Sequence, residues 1–220
     1  MAFVAGMVDI EPSASILTGM SALRQPDVTR QRLLECAFDE IHRHGFRAAS
    51  LDAILQKTGV TKGALYHHFE NKAALGYAVV DELIHPTMRS HWEPLATAED
   101  PITAAIAGLK KRRDKLKERL LANGCPFNNL AQEMTPLDEG FRRRLQGILS
   151  EWCAALAGAL ERGKATHKVR ADVNTGAAAI FIVSAIEGLI GMAKTAQSAS
   201  LYEQGLRGLI EYLERLRPCP

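Results

Sequence analysis

The sequence predicts an all-α protein of about nine helices: an N-terminal three-helix head containing a helix-turn-helix, and a larger helical domain behind it. Three features carry this expectation. Ser50 to Lys72 reads as two short helices joined by a glycine turn, the rest of the chain shows no strand-like alternation of useful length, and Ala177 to Ala193 is apolar enough to be the buried helix of a bundle.

In chain order, residues 1–26 lack the basic start and unbroken apolar run of a secretory leader and mix Gly, Pro and Ser with Asp9 and Glu11, which predicts a loose tail. Met7 and Met20 are alternative translation starts within it. After Pro26, the apolar residues Leu34, Phe38 and Ile41 recur at helical spacing, and Gly45 ends that helix. Ser50 is a good N-cap for the second helix, Asp52 lies in its first turn where the dipole favours a carboxylate, and Leu51, Ile54 and Leu55 share a face. Gly59 can take the left-handed conformation that closes this helix, and Val60 plugs the angle to the next.

Thr61 caps the third helix. Lys62, Gly63 and Ala64 keep its first turn slim, as entry into a DNA major groove requires, while Leu65 and Phe69 face inward. Tyr66, His67 and His68 remain outside, where they can donate hydrogen bonds to phosphates or base edges. Asn71 caps a further helix with Lys72 at its first position, where an ammonium and backbone N–H groups can share one phosphate. The head is therefore placed at residues 27–73 and the larger domain at 74–220.

In that larger domain, five or six helices are expected, broken near Pro94, Pro101, Gly124 to Pro126, Pro136 and Ala171. The basic run from Lys110 to Arg119 could be a second DNA surface. The preferred alternative is the solvated face of a helix whose other side is Ile106, Leu109, Leu116 and Leu120. Ala177 to Ala193 is slightly short for a bilayer span and carries Glu187 near its middle, which favours a buried helix covered on more than one side. Leu201, Leu206, Leu209, Ile210 and Leu213 offer part of that cover. Two copies of this helix pair could meet as a four-helix bundle, with Gly188 and Gly191 allowing close approach.

Gly45 and Phe46, the stretch from Ser50 to Gly59, and the run from Thr61 to Lys72 closely resemble the DNA-binding domain of TetR-family (tetracycline-repressor-like) regulators, over roughly Thr29 to Asp81. The resemblance implies that Thr61, Tyr66, His68 and Lys72 meet DNA phosphates and that Lys62, Gly63 and Ala64 lie nearest the bases; Ser50 is counted with this DNA-facing set. Two positions depart from the family pattern. Ala49 stands where Thr is frequent, and His67 stands where a second aromatic residue is common. A histidine near phosphate binds more strongly when protonated, so modestly tighter DNA binding is expected at mildly acidic pH; equal affinity of the native protein and His67→Gln across pH 6 to 8 would remove the idea.

The same resemblance implies a homodimer through the last two helices, a near-palindromic double-stranded operator, and a small-molecule effector held among the central helices. Trp92, Phe127, Met134, Trp152 and Phe181 are candidates to line that pocket, with plain core packing as the alternative role for each. Cys125 is a candidate sensor. Pro126 suits the first position of a helix, which places Cys125 at the N-cap, where the positive dipole end lowers a thiol's pKa. The segment from Gly124 to Glu133 also resembles its counterpart in a TetR branch some of whose members sense electrophiles or oxidants through cysteine. Burial as an inert small hydrophobe is the alternative.

A net charge of +2 does not announce a nucleic-acid binder, so affinity has to come from local placement and from two copies acting together. Cys36, Cys125, Cys153 and Cys219 are far apart and lack metal-ligand spacing, which argues against a disulfide framework or zinc site and favours the reducing cytoplasm, at the nucleoid. No HExxH, P-loop, GxSxG or dinucleotide fingerprint is present, and no catalytic, metal-ligating or cofactor-binding residue is assigned. A sequence-specific regulator, most often a repressor released by an effector, is the favoured class. A helical interaction protein with non-specific or no DNA binding is the alternative.

Overall fold

The computed structural model describes residues 25–115 and 119–218; among them every regular element is helical. Nearly all of the expected N-terminal tail, both candidate starts, and the side chains of Leu116 and Cys219 lie outside the described residues. The head consists of α1 (Gln25–His44), α2 (Leu51–Thr58) and α3 (Lys62–His68). Leu33, Leu34, Ala37, Ile41, Ile54, Leu65 and Phe69 are buried between them, while Phe38, Leu51 and Leu55, expected on the same inward faces, are half-buried at the edge of that core.

Helix α4 (Lys72–Val79) leaves the head and continues through a π turn (Val80–Ile84) into α5 (His85–Trp92). Pro86 has no N–H for the carbonyl four residues back. The widened turn before it, closed by the His85 N–H on the Val80 carbonyl, absorbs the proline without breaking the rod. The rod ends in a 3₁₀ turn, Glu93–Ala96, that contains Pro94. The domain boundary expected after residue 73 therefore falls in the first turn of a helix that belongs to both parts.

The body follows as α6 (Pro101–Lys115), α7 (Arg119–Asn123), α8 (Pro126–Met134), α9 (Glu139–Ala165), α10 (Thr175–Ala196) and α11 (Ala199–Glu214). Asp138, Asn174 and Ser198 cap α9, α10 and α11 through their side chains, each accepting a first-turn N–H. Helix α10 lies between α9 and α11. Head and body share one core: the rings of Phe46 and Tyr77 both stand edge-on to Phe141, with centroids 4.7 and 4.9 Å away. Gly76 makes that junction possible, because a Cβ there would lie 2.5 Å from the Phe46 ring and 2.7 Å from Phe141.

Lys110, Lys111 and Arg113 are exposed while Ile106, Leu109 and Leu120 are buried, so the described first part of the basic run is a solvated face. Arg112 is the exception, with its Nε in the interior. Helix α10 is long and apolar enough to cross a membrane by length and composition, yet it buries Ala179, Ile182, Val183, Ile186 and Ile190 in this fold. Its opposite face leaves Ile180, Phe181 and Met192 more than half exposed. Phe181 therefore does not line an interior pocket, contrary to expectation. Its position on the helix turns it outward, where its ring meets Tyr212 of α11 at 4.6 Å.

Candidate nucleic-acid interface

The two helices of the reading unit are set by local chemistry. Ser50 Oγ accepts the Ala53 N–H at 3.2 Å and opens α2; Gly59, at φ 69°, closes it with its N–H on the Leu55 carbonyl. Thr58 turns its buried hydroxyl back to the Ile54 carbonyl at 2.8 Å. Thr61 Oγ1 accepts the Ala64 N–H at 3.2 Å and starts α3 within two residues of Gly59, so the turn is as short as the sequence implies. Glu40 of α1 fastens α2 from behind, accepting from Lys57 Nζ at 2.9 Å and from the Ser50 N–H. The Lys57 hydrogen bond holds this buried carboxyl below the usual carboxylate range although burial opposes it.

The outward face of α3 is the one expected for a reading helix. Thr61, Lys62 and Gly63 are exposed and Ala64 is half-buried, and a Cβ added at Gly63 would meet nothing within 4 Å, so the first turn is both slim and free. Tyr66 and His67 are exposed beside it, and His68 is half-buried with its ring 5.4 Å from that of His67. Leu65 and Phe69 anchor the opposite face. One set of groups thus presents a narrow helix tip flanked by an aromatic hydroxyl and two imidazoles, which suits insertion between phosphate rails.

Lys72 sits at the first position of α4, after Asn71 caps it, but its ammonium is not free. Lys72 Nζ donates to the carbonyls of Ala49 at 2.6 Å and Arg47 at 3.0 Å and lies over the Phe46 ring. Those carbonyls precede α2 and have no helical partner, so the lysine satisfies them. Burial lowers its pKa from the ordinary lysine value. In this conformation Lys72 ties the α1–α2 loop together, and Ala49 itself is buried in the core.

Sequence reasoning missed how the head is fastened to the body. Glu133, at the far end of α8, accepts the N–H of Phe46 and of Arg47, both at 2.8 Å. His42 of α1 is buried, and its Nε2 donates to the Gly124 carbonyl at 2.8 Å; burial lowers its pKa. Asp39 pairs with Arg119 of α7, and Arg30 makes a two-pronged pair with Glu82 of the π turn. A cleft of about 480 Å³ runs between α1 and α8 beside these ties. The tying residues are 52 to 87 positions apart in sequence, so no local pattern signals them.

Of the candidates for an effector pocket, Trp92 and Trp152 stack within the body at 5.6 Å and 17°, and Phe127 and Met134 are buried in the same continuous core. Cys125 occupies the N-cap position of α8, as the proline predicts, but not as a reactive thiolate. Its side chain is buried and makes no capping hydrogen bond; burial pushes the thiol strongly up, and the neighbouring Glu187 adds to it. Desolvation outweighs the helix dipole here.

Comparison with known proteins agrees with this geometry. Residues 33–79 match the family model described as bacterial regulatory proteins, tetR family, and residues 105–209 match that of the tetracyclin repressor-like C-terminal domain. The chain is 26% identical over 184 residues to the HTH-type transcriptional repressor DhaR of Mycobacterium sp. strain GP1, covering 84% of this chain and 91% of that protein. It is 29% identical over 175 residues to the transcriptional regulator AcuR of Cereibacter sphaeroides, covering 77% and 78% of the two chains. The crystal structure of a TetR transcriptional regulator from Chloroflexus aurantiacus superposes with a TM-score of 0.78 at 25% identity, over 87% of this chain and 96% of the other.

Proposed function

This chain belongs to the TetR family of bacterial regulators, and from that premise we propose that it acts in the cytoplasm as a homodimeric repressor released from a near-palindromic operator by a small effector. It is a sequence-specific DNA-binding transcriptional regulator. The observation that carries the proposal is the exposed, slim first turn of α3, from Thr61 to Ala64, backed by Tyr66, His67 and His68. Lys62, Gly63 and Ala64 approach base edges, while Thr61, Tyr66 and His68 meet phosphates, with Ser50 at the rim. Lys72 joins them only by exchanging a loop carbonyl for a phosphate oxygen.

The dimer forms through α10 and α11. Phe181, Met192 and Tyr212 border a shallow apolar groove of about 310 Å³, and Gly188 and Gly208 lie along it. A Cβ at either glycine would meet nothing within 4 Å of its own chain, which leaves space for a partner helix. A two-fold arrangement of this kind sets two α3 helices at successive major grooves, about 34 Å apart.

A mobility shift on DNA adjoining the coding region, with excess competitor and in parallel with sedimentation, tests this. A specific dimeric repressor gives one shifted species that survives competitor and weakens steeply with salt. Binding that competitor DNA abolishes would refute it.

A further inference from the structure

We propose that the interior of the body holds a binding site for a small organic carboxylate, with Arg112 as its cation and Glu187, Tyr202 and Trp152 around it; this rests on the effector-released reading above. Five segments converge there. Arg112 comes from α6, Cys125 from the start of α8, Trp152 from α9, Glu187 from α10 and Tyr202 from α11. The charge of Arg112 is felt at Tyr202, Cys125 and Glu187, and its guanidinium lies 5.9 Å from the centre of the Trp152 ring, which itself stacks on Trp92.

The polar groups in this cluster are unfinished. Glu187 is 8% exposed, and both of its carboxyl oxygens are buried without a hydrogen bond of proper geometry, although the Cys125 thiol lies beside them. Arg112 Nε is also buried and meets no acceptor. Among the described residues no ion pair joins the two. Buried polar atoms are nearly always paired, and orphaned ionisable groups concentrate where a ligand completes them.

The chemistry of the orphans selects the ligand. A guanidinium cannot shed its proton, so its unmet N–H requires an acceptor. Burial raises the Glu187 carboxyl and the Tyr202 phenol, which favours their protonated, donating forms. The cluster therefore holds a buried, unmet guanidinium N–H and a positive charge with no ion pair of its own, in an apolar setting. A carboxylate supplies acceptor oxygens and the balancing charge together. An ammonium ligand would add a second cation beside Arg112, and an amide would leave the charge unbalanced. Trp152 and Cys125 provide apolar surface for a short hydrocarbon tail. The site also stands at the start of the nine-residue α8, whose other end carries the Glu133 clasp on the head.

The test uses the full chain, melted and assayed for operator release with straight-chain monocarboxylates from acetate to hexanoate and with benzoate, each against its primary amide and primary amine. At least one acid should raise the melting temperature with concentration and release operator DNA, while its amide and amine do neither. Arg112→Gln should weaken that response at least tenfold and still bind operator without ligand. Glu187→Gln, which keeps shape and an N–H donor, should retain it within a few-fold. The proposal is overturned if amides or amines match the acids, if no acid acts, or if Arg112→Gln responds as the native protein does. Should Arg112→Gln fail to fold, the acid-against-amide comparison on the native protein decides. Operator binding that ignores every acid overturns this site alone, whereas loss of specific operator binding overturns the parent reading and leaves the thermal shift to judge the site.

Discussion

Glu133→Ala is the substitution that most sharply separates a head held by α8 from one merely resting on it. The native carboxylate accepts two backbone N–H groups at 2.8 Å each, one from half-shielded Phe46 and one from exposed Arg47. Hydrogen bonds to a charged acceptor contribute about 1.5–3 kcal/mol each, and the exposed N–H regains most of its share from water. The net loss is therefore about 2 kcal/mol, because Lys72 still grips the carbonyls of the same loop. For a chain of this size that corresponds to a fall in melting temperature of about 4–8 °C. Operator affinity should fall as well, by about tenfold, since only the fraction of molecules with the head correctly oriented can bind. Gly45→Ala should act alike, because Gly45 has φ 79° and a Cβ there would stand 2.9 Å from Glu133 Oε2. Urea melts and operator titrations on the dimer measure both effects. A Glu133→Ala protein with native stability and native affinity would refute the clasp.

Tyr66→Ala should weaken operator binding about tenfold while leaving the melt unchanged within about 1 °C, since the ring is 43% exposed and anchors nothing in the core; equal affinity in a filter-binding titration would remove Tyr66 from the interface. Asp100 caps α6 and pairs with Arg217 at 2.8 Å; burial alone would raise its pKa, but Arg217 and Thr103 together hold it at about 2. A depressed carboxylate contributes stability above its unfolded value, near 4, and loses it as pH falls toward 2, so Arg217→Met should be less stable at pH 7 and the gap should close below about pH 4. Urea melts at pH 7, 4 and 3 check this, and a gap that stays constant would contradict it. Met192→Glu should turn the dimer into a monomer in sedimentation, whereas an unaffected dimer would place the interface elsewhere. In the folded protein, iodoacetamide should modify half-buried Cys36 and Cys153 well before Cys125, and early labelling of Cys125 by mass spectrometry would contradict its burial.

What the sequence disclosed was whatever is decided within a few residues. The caps Ser50, Thr61 and Asn71, the left-handed Gly59 and the helix start at Pro126 each act over one turn, and the structure places each where local chemistry requires. The inward set Leu65 and Phe69 and the outward set Lys62, Gly63 and Tyr66 follow from helical spacing alone. Three side chains have surroundings that local spacing does not foretell, for a common reason. The fate of Lys72 depends on carbonyls more than twenty residues back, that of Cys125 on Glu187 of another helix, and that of Phe181 on which side of α10 its own chain covers. Tertiary packing settled these, as it settled the Glu133 clasp and the burial of Arg112 Nε, and none leaves a periodic trace.

Whether α3 reads DNA is measured most directly by footprinting the purified dimer on the DNA flanking its own coding region, under competitor. The expected result is one protected, near-palindromic segment with two half-sites about one helical turn apart, lost in Tyr66→Ala at the same protein concentration. A folded, paired protein that leaves every fragment unprotected would contradict it.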